Sequence, residues 1–379
     1  MLYKIFFIFF ILFCSPIIYA KHAPLPAQVL LNVYQEPSPI KADDKYFLVY
    51  EIYLTNYMKD ISKLNFFQIN DTHKRDLITY KNIKDSIQSR DNNNHENSLT
   101  FTAGETKTLF IWIPYTNESE LPKELIHHLT IASSFAGKKY VFSMGNYHVR
   151  VAPYYPFMIN PPLRGKNWLA GNGLSNTSDH RRTSIIINGK PYYAQRYAID
   201  FVQMGSDGRS YTGDIHKNSS YHCYSQDLLA VADGKVIKIQ DGIPENIPNS
   251  SKFAIPINEK TLPGNYIIID LGKGKYAGYA HIIPGSFKVK EGDLVKQHQI
   301  LAKLGNSGNS SEPHLHFQIT DAGSFLMSNG VPYGFHHFSV HPSELVDDSD
   351  ISLHIKISNK KFEERTNQLV LQNSLINFE

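Results

Sequence analysis

Residues 288–302 begin with Lys288-Val-Lys-Glu-Gly-Asp-Leu-Val295 and end with Gln299-Ile-Leu-Ala302. The first part places a tight turn, Glu291-Gly-Asp293, directly before a short apolar stretch, and a second apolar stretch follows. This turn-then-strand phrase recurs in flattened β-barrels. It indicates a fold and leaves the function open.

The sequence on both sides of this phrase alternates between short strand-like runs and turns. Towards the N-terminus the runs are rich in β-branched and aromatic residues, as in Tyr46–Leu54, Lys107–Ile113 and Tyr140–Met144. Such runs are typical of a small antiparallel sandwich. Helical patterns are scarce. The fold class that we predict is therefore all-β, with an N-terminal antiparallel β-sandwich followed by a flattened β-barrel.

A proline-rich stretch, Val151–Arg164, predicts the boundary between these two domains. We place the boundary near Pro153, which gives a sandwich-like domain at residues 21–152 and a barrel domain at residues 153–379. The barrel domain carries a C-terminal extension, in which Leu353–Ile357 and Gln368–Leu371 are expected to form one or two closing strands.

Residues 1–20 have the pattern of a secretory signal peptide. Lys4 supplies the positive charge, Ile5–Phe13 the apolar core and Ile18-Tyr-Ala20 a cleavage site. A retained membrane anchor is the alternative, but Ser15-Pro16 interrupts the apolar run, which is short for a bilayer of roughly 30 Å. We expect an exported protein, periplasmic or secreted, without stable membrane insertion after cleavage.

The composition is that of an ordinary globular protein, since 42% of the 379 residues are hydrophobic. A net charge of +3 without a dense Lys/Arg stripe argues against a nucleic-acid partner. Removal of the signal peptide leaves a single cysteine, Cys223, so no intramolecular disulfide is expected. Cys223 itself has the sequence context of a buried small hydrophobic residue. The oligomeric state is left open by the sequence.

Two histidines follow a glycine- and serine-rich loop in Glu312-Pro-His314-Leu-His316-Phe317. Because side chains alternate along a strand, His314 and His316 should project from the same face. Two imidazoles there could bind or flank a metal, although ordinary histidines on a wet strand would have the same spacing. Asp200 lies in an apolar strand and needs a partner if it is buried. His281 ends another strand.

Five phrases occur in a fixed order along the chain: the stretch around Asp200, Tyr279-Ala-His281, Glu291-Gly-Asp293, Gly305-Asn-Ser-Gly308 and His314-Leu-His316. In this order they resemble those of the lysostaphin/LytM-type zinc metallopeptidases. These are secreted or periplasmic enzymes that cut peptide bonds in peptidoglycan. The resemblance covers about Trp168 to Thr320.

The resemblance implies a LytM-like peptidase domain in the predicted barrel, with zinc (Zn2+) as the cofactor and a peptidoglycan peptide as the substrate. In that family a histidine, an aspartate and the second histidine of the His-x-His pair bind zinc. The other two histidines assist catalysis. Matching the motifs makes Asp200 and His316 metal ligands and makes His281 and His314 the catalytic pair.

One position departs from the family pattern. The first ligand is usually a histidine four residues before the aspartate, and this chain has Arg196 there. A guanidinium has no free lone pair with which to bind zinc. Either the site is inactive or another histidine has taken that place.

His180 is the substitute that we predict. A hairpin of Thr183–Ile187 with Tyr192–Phe201 would place His180 roughly opposite residues 196–198, within reach of the metal. A shift of one residue in the register would point it away. His216 and His222, in the loop that follows, are reserve candidates.

The predicted function is thus an exported zinc-dependent endopeptidase that hydrolyses peptide bonds in peptidoglycan. The predicted metal ligands are His180, Asp200 and His316, and the predicted catalytic residues are His281 and His314. Two alternatives remain open. One is a catalytically degenerate LytM-like domain that binds cell wall or regulates another hydrolase. The other is a carbohydrate- or lipid-carrier barrel with a large apolar cavity.

Overall fold

The computed structural model describes residues 28–378, except for 73–74, 80–82, 84–85, 90–98, 136, 156, 346–353 and 358–360. The predicted signal peptide lies outside these residues. Strands dominate the described part, and its only α-helix is the four-residue α1 (Asp179–Arg182). The all-β prediction is confirmed. Among the helices of these residues, none has the length and apolar character needed to cross a bilayer.

The first ten strands form two antiparallel sheets, here called the N-terminal sheets. One sheet contains β1 (Val29–Asn32), β2 (Ser38–Ala42), β3 (Lys45–Asn56), β6 (Ile87–Ser89) and β8 (Thr106–Tyr115). The other contains β4 (Ser62–Asp71), β5 (Asp76–Thr79), β7 (Thr100–Phe101), β9 (Glu124–Phe135) and β10 (Lys138–Arg150).

The two N-terminal sheets share one hydrophobic core, which is the packing expected of a sandwich. Leu48, Tyr50 and Ile52 of β3 meet Phe67 and Ile69 of β4 there. These β3 residues are two positions apart, so they lie on one face of the strand.

The opposite face of β3 is buried too, because Phe47 and Val49 belong to the core of the second half of the chain. A strand in the N-terminal sheets therefore contacts both halves of the protein. This double burial explains why Tyr46–Leu54 is a nearly continuous apolar run and not an alternating one.

The second half is built around one large sheet, here called the central sheet, with the order β11-β23-β26-β12-β15-β22-β19-β18-β17-β20. Only the pairing of β11 with β23 is parallel among the pairings described. The strands are β11 (Met158–Ile159), β12 (Gly165–Gly171), β15 (Ile199–Gln203), β17 (Gly234–Gln240), β18 (Asn265–Asp270), β19 (Tyr276–Ile282), β20 (Leu294–Val295), β22 (Leu315–Thr320), β23 (Gly334–Leu345) and β26 (Ser374–Phe378), with β24 (Ile355–Ile357) and β25 (Glu363–Gln368) paired to β23.

Two small two-stranded sheets complete the fold. They pair β13 (Ile185–Ile187) with β14 (Lys190–Tyr192) and β16 (Asp227–Leu229) with β21 (Ile300–Lys303). Residues 288–302 form a turn followed by β20 and then β21, as predicted.

The C-terminal strands differ from the prediction. Residues 355–357 are a strand, but the predicted strand at Gln368–Leu371 is wrong, because β25 ends at Gln368 and the last strand is β26. β26 lies between β23 and β12 and pairs with both, so it is an interior strand of the central sheet. Its position depends on backbone pairing with a strand about 200 residues earlier, which a local pattern does not reveal.

Candidate metal centre and active site

Three neighbouring strands of the central sheet, β15, β22 and β19, carry the centre of the site. Asp200 of β15 lies directly opposite His316 of β22, and His316 lies opposite Ala280 of β19. The alternate residues, such as Phe201 and Phe317, belong to the hydrophobic core on the other face of the sheet. Burial of those aromatic residues therefore fixes which face Asp200 and His316 occupy.

His281 reaches the same face through an irregularity in β19. Regular alternation would place His281 with Tyr279, whose ring is buried in the core. The register between β18 and β19 shifts at this point, and His281 has a φ of 64°. This left-handed conformation is unfavourable for a side chain with a Cβ, and it turns the imidazole towards the face that carries His314 and His316. Such strain is often found at functional sites.

His180 arrives by a different route from the one predicted. The hairpin ends at Tyr192, its two-residue turn is Asn188-Gly189, and the expected pairing of residues 193–198 with the segment before β13 is wrong. His180 lies instead on α1, whose first turn is capped by Ser178. Tyr193 and Arg196, which follow the hairpin, contact Tyr53 and Glu51 of the N-terminal sheets instead of continuing the strand.

The three predicted ligands are nevertheless close together. One ligand atom from each of His180, Asp200 and His316 can be chosen so that all lie within 4.8 Å of one another. Nε2 of His180 is 3.2 Å from Oδ2 of Asp200, and Nδ1 of His316 is 3.0 Å from Oδ1. Two imidazoles and one carboxylate form a donor set that suits zinc and leaves a fourth position open. The residues present therefore fit this metal.

The charges in this cluster are strongly coupled. Burial alone would raise the pKa of Asp200, but the adjacent His180 and His314 and the hydrogen bonds to it lower that pKa well below its usual range. Burial acts to lower the pKa of His180, but the charge of the Asp200 carboxylate and the hydrogen bonds to His180 together outweigh burial, and the pKa is raised. Asp200 is thus held as an anion, the form that binds a metal.

The other two histidines form a pair beside this cluster. The ring centroids of His281 and His314 are 4.6 Å apart. Nδ1 of His281 is 2.8 Å from the carbonyl oxygen of Ser307, and Nδ1 of His314 is 2.8 Å from that of Glu312. Because a carbonyl oxygen only accepts, each Nδ1 carries the hydrogen and each Nε2 is left with its lone pair.

Burial lowers the pKa of both rings. For His281 the neighbouring His314 and His316 add to the effect of burial, so its pKa lies well below 6.5. For His314, burial outweighs the opposing attraction of Asp200 and the pKa is also lowered. Both rings are consequently neutral near pH 7 and able to accept a proton at Nε2.

Arg196 does not enter the site, although it occupies the sequence position of the usual first ligand. Its guanidinium is buried and pairs with Glu51 of β3 in the N-terminal sheets. The space beside Asp200 is therefore available to His180.

The reserve histidines stay outside the cluster. His216 bonds the carbonyl of Pro248 through Nδ1, and Nε2 of His222 is 3.5 Å from the hydroxyl of Thr212. Neither belongs to the group of ligand atoms described above.

Polar residues beside His314 support its ring. The hydroxyl of Ser310 donates a hydrogen bond to Oδ1 of Asn306 and lies 3.2 Å from Nδ1 of His314, so it can help to orient the imidazole. Tyr279 points away from the site, because alternation along β19 directs it into the core, where its hydroxyl accepts a hydrogen bond from the backbone N–H of Val231.

Two further contacts were missed. The side chain of Asn172 donates to Oδ2 of Asp200 at 3.0 Å, and no local pattern marks it. Gln318 lies 3.0 Å from Nε2 of His316. Its position two residues after His316 on the same strand is a signal that the sequence does contain.

The site opens into a groove of about 340 Å³. Its apolar wall is formed by Phe253, Leu262 and Phe325, and Asn309 and Ser311 add polar groups. No lysine or arginine is among the described residues that line it. The groove thus offers apolar contacts and hydrogen bonds to an extended chain, with the histidines at its base.

Residues 215–327 match the sequence model of peptidase family M23. The lysostaphin/LytM-type resemblance is confirmed. The matched M23 region contains His281, His314 and His316 but begins after His180 and Asp200.

Several solved structures are similar to this chain. The catalytic domain of the antimicrobial peptidase lysostaphin from Staphylococcus simulans is 21% identical, with 44% of this chain and 88% of that chain covered and a TM-score of 0.24. The deep-sea M23 metalloprotease pseudoalterin is 16% identical, with 55% and 96% covered and a TM-score of 0.29. Helicobacter pylori Csd3 is 11% identical, with 77% and 68% covered and a TM-score of 0.25.

Proposed function

We propose that this chain is an exported zinc-dependent endopeptidase that hydrolyses peptide bonds in peptidoglycan. The observation that carries the proposal is the convergence of His180, Asp200 and His316 within 4.8 Å, next to the paired rings of His281 and His314. The match of residues 215–327 to a peptidase family supports the same reaction class.

In this proposal His180, Asp200 and His316 hold the zinc ion. Bound zinc supplies Lewis-acid chemistry, which lowers the pKa of a water molecule and polarises the scissile carbonyl. The contribution of the three side chains is to bind through two imidazoles and one carboxylate. Asn172 and Gln318 orient Asp200 and His316 through their hydrogen bonds.

His281 and His314 are the groups that move protons. The lone pair on Nε2 of one ring takes a proton from the attacking water, and that ring then protonates the nitrogen of the leaving amine when the peptide bond breaks. Once protonated, a ring is also a hydrogen-bond donor for the negative carbonyl oxygen of the tetrahedral species. The lowered pKa values keep both rings in the accepting form before reaction.

The groove supports a peptide as the substrate. An extended chain has backbone donors and acceptors that match Asn309 and Ser311, while apolar contacts come from Phe253 and Phe325. A peptidoglycan peptide is proposed from the family resemblance and from the signal-peptide pattern of residues 1–20. We further propose two domains, at residues 21–152 and 153–379.

Arg196 is the feature that favours the alternative, a degenerate domain that binds cell wall without cutting it. The pairing of Arg196 with Glu51 weakens this alternative, because the guanidinium is bound elsewhere and does not place a positive charge beside the metal ligands. His180 supplies an imidazole near the position that Arg196 leaves.

The test compares zinc content and peptide release from purified sacculi. The wild-type mature protein should hold about one zinc per chain and release soluble peptides, and His316→Ala should abolish both. His336→Ala replaces an exposed histidine outside the site and is the matched control. Binding to sacculi without stoichiometric zinc or cleavage would establish the degenerate alternative instead.

A further inference from the structure

Glu51 is the acidic residue at the contact between the N-terminal sheets and the metal-binding half. It lies on the outer face of β3, between Val49 and Tyr53, and is 4% exposed. Its neighbours on the inner face, Tyr50 and Ile52, belong to the core of the N-terminal sheets. The carboxylate therefore points across the contact and away from the domain that supplies it.

Two arginines from the metal-binding half bind this carboxylate. The guanidinium of Arg181 contacts Oε1, and Arg196 uses Nε and Nη2 to reach both oxygens. Arg181 also donates to the carbonyl oxygen of Tyr50 at 2.9 Å. Burial opposes ionisation of Glu51, but the two arginines lower its pKa, so it is anionic.

The same face of β3 and β8 makes further contacts to these segments. The hydroxyls of Tyr53 and Tyr193 are hydrogen-bonded, and the guanidinium of Arg181 lies 4.8 Å from the ring centroid of Phe110. The side chain of Asn176 donates to the carbonyl of Phe110 at 3.2 Å. The segment that carries His180 is thus bound on both sides of the histidine.

Sequence position makes this contact relevant to the metal. Arg181 directly follows His180, and Arg196 occupies the position where the family usually has its first ligand. The helix α1 has only four residues, and a helix this short has almost no stability of its own. The position of α1 therefore depends on contacts outside the helix, among which those of Arg181 lie next to His180.

We propose that Glu51 is a positioning residue for the metal site. By binding Arg181 and Arg196 together, it holds α1 where His180 can replace the missing ligand, so the N-terminal sheets are part of the metal centre. This inference rests on the proposed metal-binding function of the site.

The experiment measures the zinc dissociation constant of the full mature chain by competition with a chromophoric chelator. Glu51→Gln should weaken zinc binding by about 10- to 100-fold, the range typical for loss of a group that orients a ligand. Saturating zinc should restore most of the kcat, because the catalytic pair His281 and His314 is untouched. A purely structural role would lower the melting temperature without changing zinc affinity.

Asp71→Asn is the matched control. Asp71 is a fully buried carboxylate of β4 that pairs with Arg75, away from the contact with the metal-binding half. The Asp71→Asn variant should destabilise the N-terminal sheets. Its zinc dissociation constant should stay within about twofold of that of the wild type, because the ligand set is unaltered and distant from the substitution.

If Glu51→Gln does not fold, the triple variant Glu51→Met, Arg181→Met, Arg196→Leu replaces the ion cluster by apolar bulk, an exchange that often preserves or increases stability. It should fold and still bind zinc at least tenfold more weakly. Wild-type affinity in either folded variant would overturn the role of Glu51. Absence of zinc binding in wild type and Asp71→Asn alike would instead refute the function proposed for the site.

Discussion

Glu312, two residues before His314, provides the sharpest prediction about stability. Its side chain is 6% exposed, and Oε2 accepts a hydrogen bond from Ser210 at 3.3 Å. No partner for Oε1 is found within the described residues. Burial raises the pKa of Glu312 to about 7, with the Ser210 hydrogen bond opposing the rise. The folded protein therefore keeps this carboxyl protonated where an unfolded chain does not.

The size of the effect follows from linkage. In the unfolded chain the pKa is about 4.3, so between about pH 4.3 and 7 the unfolded state releases a proton that the folded state retains. The raised folded-state pKa gives stability that is fully present below about pH 4.3 and is lost as the pH rises through 7. The difference of roughly 2.7 units corresponds to a total loss of about 3.7 kcal/mol in the free energy of unfolding.

Glu312→Gln cannot ionise and should not show this loss. Urea unfolding of the metal-free protein, followed in EDTA at pH 5, 6.5 and 8, measures the difference between the variant and wild type. The variant should gain about 2.5 kcal/mol relative to wild type between pH 5 and pH 8, because part of the loss has already occurred below pH 5. Ser210→Ala removes the opposing hydrogen bond and should extend the loss in wild-type background to higher pH. Parallel stability curves for Glu312→Gln and wild type would refute the reasoning.

Three further outcomes are expected. His281→Ala and His314→Ala should each retain zinc in a metal assay yet release peptides from sacculi about 100- to 10,000-fold more slowly; loss of zinc would contradict their assignment as proton carriers. Gly264→Ala should lower the free energy of unfolding by several kcal/mol in urea, because φ is +65° and a Cβ would lie 2.3 Å from a backbone carbonyl oxygen. Gly272→Ala, with φ of +78° but open space, should cost only about 1 kcal/mol, and equal costs would exclude the steric explanation. Cys223 should resist a thiol reagent at pH 8 in the native protein and react after unfolding, since burial raises its pKa to about 12, whereas rapid native labelling would show that the thiol is accessible.

Local patterns were enough for much of the site. The alternation of Leu315, His316 and Phe317 indicates that the histidine and the core aromatic residue lie on opposite faces. The same rule places Asp200 and Phe201 on opposite faces of β15. Such positions are predictable because burial of the apolar neighbours fixes the register of the strand.

The direction of His281 and the arrival of His180 were decided by tertiary structure. Alternation would send His281 into the core, and only the register shift and its positive φ bring it to the metal-facing side. His180 was identified, but the hairpin that should have delivered it ends too early. Its helix is held by the contact between Arg181 and Glu51, which are 130 residues apart in the sequence.

The sequence by itself determined which residue types were available: strands whose apolar sides form a core, and a set of histidines and one aspartate on their polar sides. Tertiary structure alone decided the route by which His180 comes close to Asp200. The physical reason is that periodicity reports only on neighbours two to four residues apart, whereas Arg196 and Glu51 are 145 residues apart. The buried charges of Arg196 and Glu51 have to be paired with each other. This pairing joins two halves of the chain, and no local sequence pattern shows that they come together.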